Sequence, residues 1–229
     1  MSKKALGKVV RAVALAMILL VWGLLPPIQA QGAGHVDVLT VKGAIDPWVD
    51  SYIQRGISLA EQDGAQAILI LLNTPGGTLG ATQNITTRML ESRAPVVVFV
   101  YPEGAWAASA GTFIVMAGNV AAMAPGTSIG AAHPVGAGGE DIPSDAQTKA
   151  TNFSVSIMRN IAEQRGRNAD WGERSVRESI SATAEEAWQE QVIDLIATDP
   201  QELLRRMEGR TVKTAAGEIT LHTQDAELL

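Results

Sequence analysis

From residue 36 onward the sequence alternates short β-branched or apolar runs with longer amphipathic stretches, and few folds accept that order. Alternation of this kind builds βα units around a largely parallel sheet. Val36 to Val41 reads as the first strand. Asp46 and Pro47 then read as an N-cap and first helical residue, opening a helix to about Gln62 that ends at Gly64. Ala67 to Leu72 is an unbroken apolar run, as expected of a strand buried on both faces. The turn Asn73-Thr74-Pro75-Gly76-Gly77 follows, then a helix to about Ser92. Pro95 to Val100 is another buried strand, and an Ala- and Gly-rich helix is expected from near Ala107.

Between Gly130 and Pro143 runs a Gly-, Pro- and Ala-rich loop with no apolar period, long enough for a mobile or substrate-facing element. A long helix is expected from about Asp145 to Arg165, with others over Asn168 to Glu178, Thr183 to Gln191 and Pro200 to Met207. A short strand is placed at Val192 to Ile196 and a hairpin around Ala215-Ala216-Gly217. No repeat, heptad run or linker divides the chain after residue 35 into two cores.

Residues 1 to 30 stand apart from this pattern. Lys3, Lys4, Lys8 and Arg11 form a basic head, an apolar run extends from Ala12 to Leu25, and Pro26, Pro27 and the small residue Ala30 follow. That order is an export signal, with Ala30 a cleavage position. The run is short for a spanning helix, which needs about 20 apolar residues; an uncleaved signal anchor is the alternative. Either way the remainder is expected on the extracytoplasmic side. Without the segment's four basic residues the remainder holds 14 basic against 24 acidic residues, a formal charge of −10. Such a balance argues against a nucleic-acid partner and otherwise serves solubility. Cysteine is absent, which excludes a cysteine nucleophile, cysteine-zinc and iron–sulfur sites, and leaves the fold to its core.

Two segments carry chemistry. In L-L-N-T-P-G-G, two glycines directly after a buried strand leave backbone N–H groups free to approach a ligand, and Pro75 fixes the entry angle. Such donors can hold an oxyanion, although the same residues also make an ordinary turn. In A-W-A-A-S-A-G-T, Ser109 sits among small residues after a strand, where the helix N-terminus and the Ala110 N–H can serve the same oxygen. A serine in a close-packed Ala/Gly helix is the plainer alternative. Two such sites in successive βα units are more specific than either alone.

T-P-G-G, A-S-A-G-T, A-P-G-T-S-I-G-A-A and K-A-T-N occur here in one order. With them the chain resembles the N-terminal protease domain of NfeD-family membrane proteins over roughly residues 35 to 223, and is more distantly similar to ClpP and signal peptide peptidase A. The resemblance implies an α/β fold of the ClpP/crotonase type, a spiral of ββα units with a largely parallel sheet. It also implies a peptidase using a Ser–Lys dyad, in which Ser109 and Lys149 match the family serine and lysine. Long members continue into several membrane spans and a small β-barrel. The sequence here stops at Leu229, as a truncated form or as the protease portion of a longer chain.

A free amine is protonated at neutral pH, so Lys149 as base requires desolvation or a cationic neighbour. Its place near a helix start also disfavours the cation. His133, in A-A-H-P-V, is the competing base, lying about where ClpP-type enzymes carry histidine. Aligning the segment near Asp194 puts Ser179, not an aspartate, where the acid of that triad belongs, and Glu178 beside it points elsewhere on a helix. Trp106 replaces a small residue expected beside the nucleophile, as a subsite wall or a core residue. Gly126, Thr127, Ser128 and Gly130 read as turn-forming, and Asp141 with Asp145 as a solvated loop pair.

The reading is therefore of an extracytoplasmic, membrane-associated serine endopeptidase with Ser109 and Lys149 catalytic. Gly77 and Ala110 would form the oxyanion hole, with Gly76, His133 and Trp106 as substrate-contacting residues or alternative base. No cofactor is expected, and no His, Asp or Glu cluster has metal-ligand spacing. The partners are a polypeptide substrate, by resemblance a hydrophobic segment of a stomatin-like membrane protein, and further copies of the chain, a dimer first. A crotonase-type acyl-CoA enzyme and a non-catalytic peptide-binding scaffold are the alternatives.

Overall fold

Asp46 begins the first helix in the way its side chain dictates. Its carboxylate accepts the N–H groups of Trp48 and Val49, each at 2.9 Å, Pro47 supplies the first helical φ, and Gly64 ends the helix in the left-handed region. The computed structural model describes residues 34–135 and 143–229. The 1–30 segment, Asp141 and half of the expected Gly130 to Pro143 loop lie outside them. Among the described residues no helix is long and apolar enough to cross a membrane.

In chain order the elements are β1 (His35–Lys42), α1 (Pro47–Asp63), β2 (Ala67–Asn73), α2 (Leu79–Leu90), β3 (Val96–Val100), β4 (Trp106–Ala108), α3 (Ala110–Ala117), β5 (Val120–Met123) and β6 (Ser128–Gly130). They continue with α4 (Ser144–Arg165), α5 (Ala169–Arg177), β7 (Ser181–Thr183), α6 (Ala184–Gln189), β8 (Leu195–Ile196), α7 (Pro200–Met207), β9 (Thr211–Thr214), β10 (Gly217–Thr220) and β11 (Glu227–Leu228). Six strands form one parallel sheet in the order β11-β1-β2-β3-β5-β8.

The two-residue period of the central strands divides the core into two layers. Ile68, Ile70 and Leu72 of β2, with Val96, Val98 and Val100 of β3, point to one face and pack with α1, α2, α3 and α4. Ala67, Leu69, Val97 and Phe99 point to the other, under Leu203, Leu204 and Met207 of α7. Burial on both faces is why these strands read as apolar runs without alternation.

Each strand of the first four units leaves the sheet at its C-terminal end and makes a short second pairing before its helix. Ile45 bridges Gly77, Thr74 bridges Ala107, β4 pairs with β6, and β6 pairs antiparallel with β7. This is the expected spiral of ββα units, and the chain has that ClpP-like α/β fold. Three expectations need correction. Ala107 lies in β4, so the helix starts only at Ala110. Ser128 and Gly130 belong to β6, because β4 offers them an unpaired edge, whereas Gly126 and Thr127 are in the preceding turn. The 192–196 strand shrinks to Leu195–Ile196, since the N–H groups of Val192 and Ile193 go back to the Ala187 carbonyl of α6. Val120–Met123 and Glu227–Leu228 are strands beyond the expected set.

Two arginines clamp the C-terminal end of α3. Arg167 donates to the Met116 carbonyl at 2.9 Å and the Gly118 carbonyl at 2.8 Å, and to the Asp194 carboxylate at 2.6 Å. Arg165 donates to the carbonyls of Ala117, Lys213 and Met89. Guanidinium groups there satisfy orphan carbonyls and oppose the negative end of the helix dipole. Burial, with the nearby charge of Arg167, pulls Arg165 down to about 10. The Arg167 side chain is 3% exposed. Removing one partner from such a pair leaves the other charge uncompensated. Arg167→Ala is expected to lower the unfolding free energy by about 3 kcal/mol, read as a shifted urea midpoint at unchanged slope.

Candidate active site

Ser109 lies between β4 and α3 with φ 50° and ψ −113°, a conformation rare for any residue with a side chain. Holding it costs about 1–3 kcal/mol and requires surroundings that over-determine it. They do so here. The Ser109 N–H donates to the Ala131 carbonyl at 3.1 Å, and the Ala108 N–H to the Thr74 carbonyl at 3.1 Å. On the other side, the Thr112 N–H donates to the Ser109 carbonyl at 3.0 Å and the Thr112 hydroxyl to the Ala107 carbonyl at 3.0 Å. The result is an elbow that leaves Ser109 half-buried at the mouth of a cleft.

Glycines on both sides make the elbow possible. A Cβ at Gly76 would lie 2.6 Å from the Ser109 Cβ and 3.1 Å from its hydroxyl oxygen, and Gly76 itself has φ 119°. A Cβ at Gly111 would lie 2.7 Å from the Thr74 methyl. The T-P-G-G turn and the A-S-A-G-T elbow therefore interlock through a glycine from each. Gly77 is equally constrained, because a Cβ there would fall 2.0 Å from the Ile45 carbonyl oxygen.

Backbone donors converge on the same space. The Ile45 N–H binds the Gly76 carbonyl and the Thr78 N–H binds the Ile45 carbonyl, so the intervening Gly77 N–H turns to the opposite side of the segment, which borders the cleft. Ala110 is the first residue of α3 and has no helical acceptor for its N–H. Both residues line the cleft beside Ser109. The cleft measures about 820 Å³. Its walls are largely apolar, with Ile45, Leu79, Phe113 and Val135 among them.

His133 also borders the cleft, but both of its ring nitrogens are engaged. Nδ1–H donates to the Val176 carbonyl at 2.8 Å, which leaves Nε2 as the acceptor, and the Gln147 amide donates to it. Among the described residues no carboxylate bonds the ring. Ser179, where an acid was sought, lines the cleft with φ 57°.

Lys149 is exposed on α4 and is not among the cleft-lining residues. From α4 the cleft is lined by Ser154, 1% exposed, and one heptad earlier Gln147 bonds the His133 ring and the Pro134 carbonyl. Trp106 is 52% exposed in β4 and does not line the cleft, so it is neither a core residue nor a wall of this pocket. Asp145 is exposed in the first turn of α4. Gln147, Ser154 and Phe113 were not singled out from the sequence; the seven-residue spacing of Gln147 and Ser154 was the available signal for two of them.

A second cluster arises from folding alone. His35 at the start of β1, Asp37 and Asp63 at the end of α1 place their ligand-type atoms within 4.8 Å of one another. The His35 Nε2 is 3.5 Å from Asp37 and 3.4 Å from Asp63. Burial, and then the Asp63 charge, raise the Asp37 carboxyl above its ordinary value, with His35 opposing. Sequence spacing could not reveal it, because Asp63 reaches it through the strand–helix packing. The cluster lies at the opposite end of the strands from Ser109.

Comparison with known proteins places these features in context. A family model described as the NfeD1b N-terminal domain matches residues 35–223. The membrane-bound protease PH1510 of Pyrococcus horikoshii is 41% identical over 204 residues, covering 89% of this chain and 46% of that protein. Membrane protein NfeD1b of Bacillus subtilis is 29% identical over 133 residues, covering 58% of this chain and 29% of that protein. The chain thus spans less than half the length of either curated relative. Among solved structures, a serine-to-alanine mutant of the 1510-N membrane-bound stomatin-specific protease matches with TM-score 0.80 at 38% identity, covering 86% of this chain and 97% of that one. A lysine-to-alanine mutant in complex with a substrate peptide gives TM-score 0.80 at 38% identity, with 86% and 92% coverage.

The interlocked glycines make a direct prediction. Gly76→Ala pushes a methyl group against Ser109 at a backbone angle that side chains avoid. It is expected to lower the unfolding free energy by about 1–3 kcal/mol, read as a shifted urea midpoint, with the far-ultraviolet circular dichroism of the variant unchanged.

Proposed function

Because the chain belongs to the family of NfeD1b N-terminal domains, we propose that it is the serine peptidase domain of a membrane-associated protein and cuts peptide bonds in the Ser109 cleft. The strained elbow carries this reading, since it spends stability to hold one hydroxyl at the mouth of an apolar cleft beside two outward backbone donors.

In the proposed reaction the Ser109 oxygen attacks the scissile carbonyl carbon and the Gly77 and Ala110 N–H groups take the oxyanion. Lys149 accepts the serine proton and returns it to the leaving amine as the acyl-enzyme forms. Water, deprotonated by the same amine, then releases the acyl group and restores Ser109. The lysine assignment draws support from K-A-T-N and from the lysine mutant structure of the relative. It also requires movement, because Lys149 is exposed outside the cleft in the structure described here.

Apolar walls suit a hydrophobic peptide, and the relative is named a stomatin-specific protease. We assign as substrate a hydrophobic segment of a stomatin-like membrane protein. The basic head and apolar run of residues 1 to 30 support work on the extracytoplasmic membrane face. A homodimer is the favoured assembly. Trp48, Tyr52 and Leu59, exposed by 84%, 42% and 52% along one side of α1, are apolar surface that a second copy would cover.

The test is cleavage of casein and of an apolar peptide by point variants. Ser109→Ala is expected to abolish turnover and Lys149→Ala to lower it by about 1,000-fold or more, while His133→Ala still cleaves. Undiminished cleavage by Ser109→Ala would sink the proposal.

A further inference from the structure

Gln147 and Lys149 stand two residues apart on α4, roughly 200° around the helix from one another. Only one of them can face the His133–Pro134 segment at a time. In this structure it is Gln147, which bonds that segment without itself lining the cleft. Its amide donates to the Pro134 carbonyl at 2.9 Å and to the His133 ring, whose other nitrogen is fixed on the Val176 carbonyl at 2.8 Å. The strand of chain that holds it is itself anchored to the nucleophile. Ala131 accepts the Ser109 N–H at 3.1 Å and donates to the Ile180 carbonyl at 2.8 Å, and the Ala132 N–H binds the Ser175 carbonyl at 2.9 Å. The first turns of α4 are thus tied, through Gln147, to the backbone that carries Ser109, in a register that turns Lys149 outward.

We infer that Gln147, His133 and the Pro134 carbonyl form a latch that keeps α4 in this resting register, and that a polypeptide entering the cleft opens it. The inference rests on the reading of Ser109 and Lys149 as nucleophile and base. His133 and Pro134 both line the cleft. An extended peptide laid there brings backbone N–H and C=O groups that compete for the partners Gln147 now holds. Once those bonds are exchanged, the first turns of α4 can rotate or unwind and carry Lys149 toward Ser109. His133 in this arrangement is a positioning residue and not a base. The coupling makes the amine available only when substrate fills the cleft.

The test needs a readout without peptide, so that opening is measured apart from substrate affinity. Covalent labelling of Ser109 by a small fluorophosphonate serves, with thermal midpoints recorded alongside. Loss of two hydrogen bonds shifts such an equilibrium by about five- to tenfold. Gln147→Leu and Gln147→Ala are each expected to accelerate labelling by about that factor, and His133→Leu, which leaves the Gln147–Pro134 bond in place, by less. The double variant His133→Leu with Gln147→Leu should be no faster than Gln147→Leu alone, because that change already removes both contacts. In a Lys149→Ala background the acceleration should vanish. Slower or unchanged labelling in both Gln147 variants at wild-type thermal midpoint would overturn the latch, as would additive effects in the double variant. Lys149→Ala labelled as fast as the unaltered protein would instead remove the base assignment, and the latch with it.

Discussion

Everything at the candidate site depends on one close contact, the approach of the β2 turn to the β4–α3 elbow that only a glycine on each side allows. Gly76 makes room for Ser109, and Gly111 makes room for Thr74. Because the contact is reciprocal, neither motif is explained by its own turn alone. T-P-G-G is short and glycine-rich where the serine must pass, and A-S-A-G-T is small-residue-rich where the threonine must pass. The parallel register of β2 and β3, with Leu72 opposite Val100, delivers the two turns to the same end of the sheet. The fold thereby sets the spacing, and the glycines convert it into contact.

Strain at Ser109 has to be held from several directions, and the structure shows where the holding comes from. Below, α3 is buried on every side, from Ala110 to Ala117, so its short length does not leave it free to tilt. At its far end Arg165 and Arg167 gather the last carbonyls of α3 and tie them to Asp194, the end of α2 and β9. The Arg167 Nε has no partner among the described residues, so the clamp is not free of cost. A buried polar atom left unpaired is tolerated where the remaining bonds fix an arrangement that packing alone would not. Fixing α3 at its C-terminus holds the serine at its N-terminus.

Much of this was legible because the governing patterns are local. Asp46-Pro47 and Gly64 bracket α1 through cap chemistry, and the apolar runs at Ala67 and Pro95 reveal strands buried on both faces. Ser109 and both candidate oxyanion donors, which the structure brings to one cleft, could be singled out because they sit in two contiguous motifs. What escaped depends on pairing between distant segments. Trp106–Ala108 and Ser128–Gly130 have little strand propensity and are strands only because each supplies the other's edge. Asp63 joins His35 and Asp37 only through packing. Gln147 looked like an ordinary helix residue, since its partners, His133 and Pro134, come from a segment more than a turn away in sequence and held in place by Ser109 itself.

The position of Lys149 bears on how the proposed dyad would work. An amine in water stays protonated at neutral pH, and only removal from water makes it a usable base. Lys149 is exposed on α4, outside the cleft. In a serine–histidine site the base can wait beside the nucleophile, because imidazole is poised near neutrality without burial. A lysine base carries a different requirement, since the cleft must close around it before it can act. With Ile45, Leu79, Phe113 and Val135 on the walls, a hydrophobic peptide is the agent that would both expel water and bridge the opening. On the proposed reading, substrate hydrophobicity would do more than set affinity: it would complete the environment in which the amine accepts the serine proton, tying selectivity for apolar segments to the chemical step.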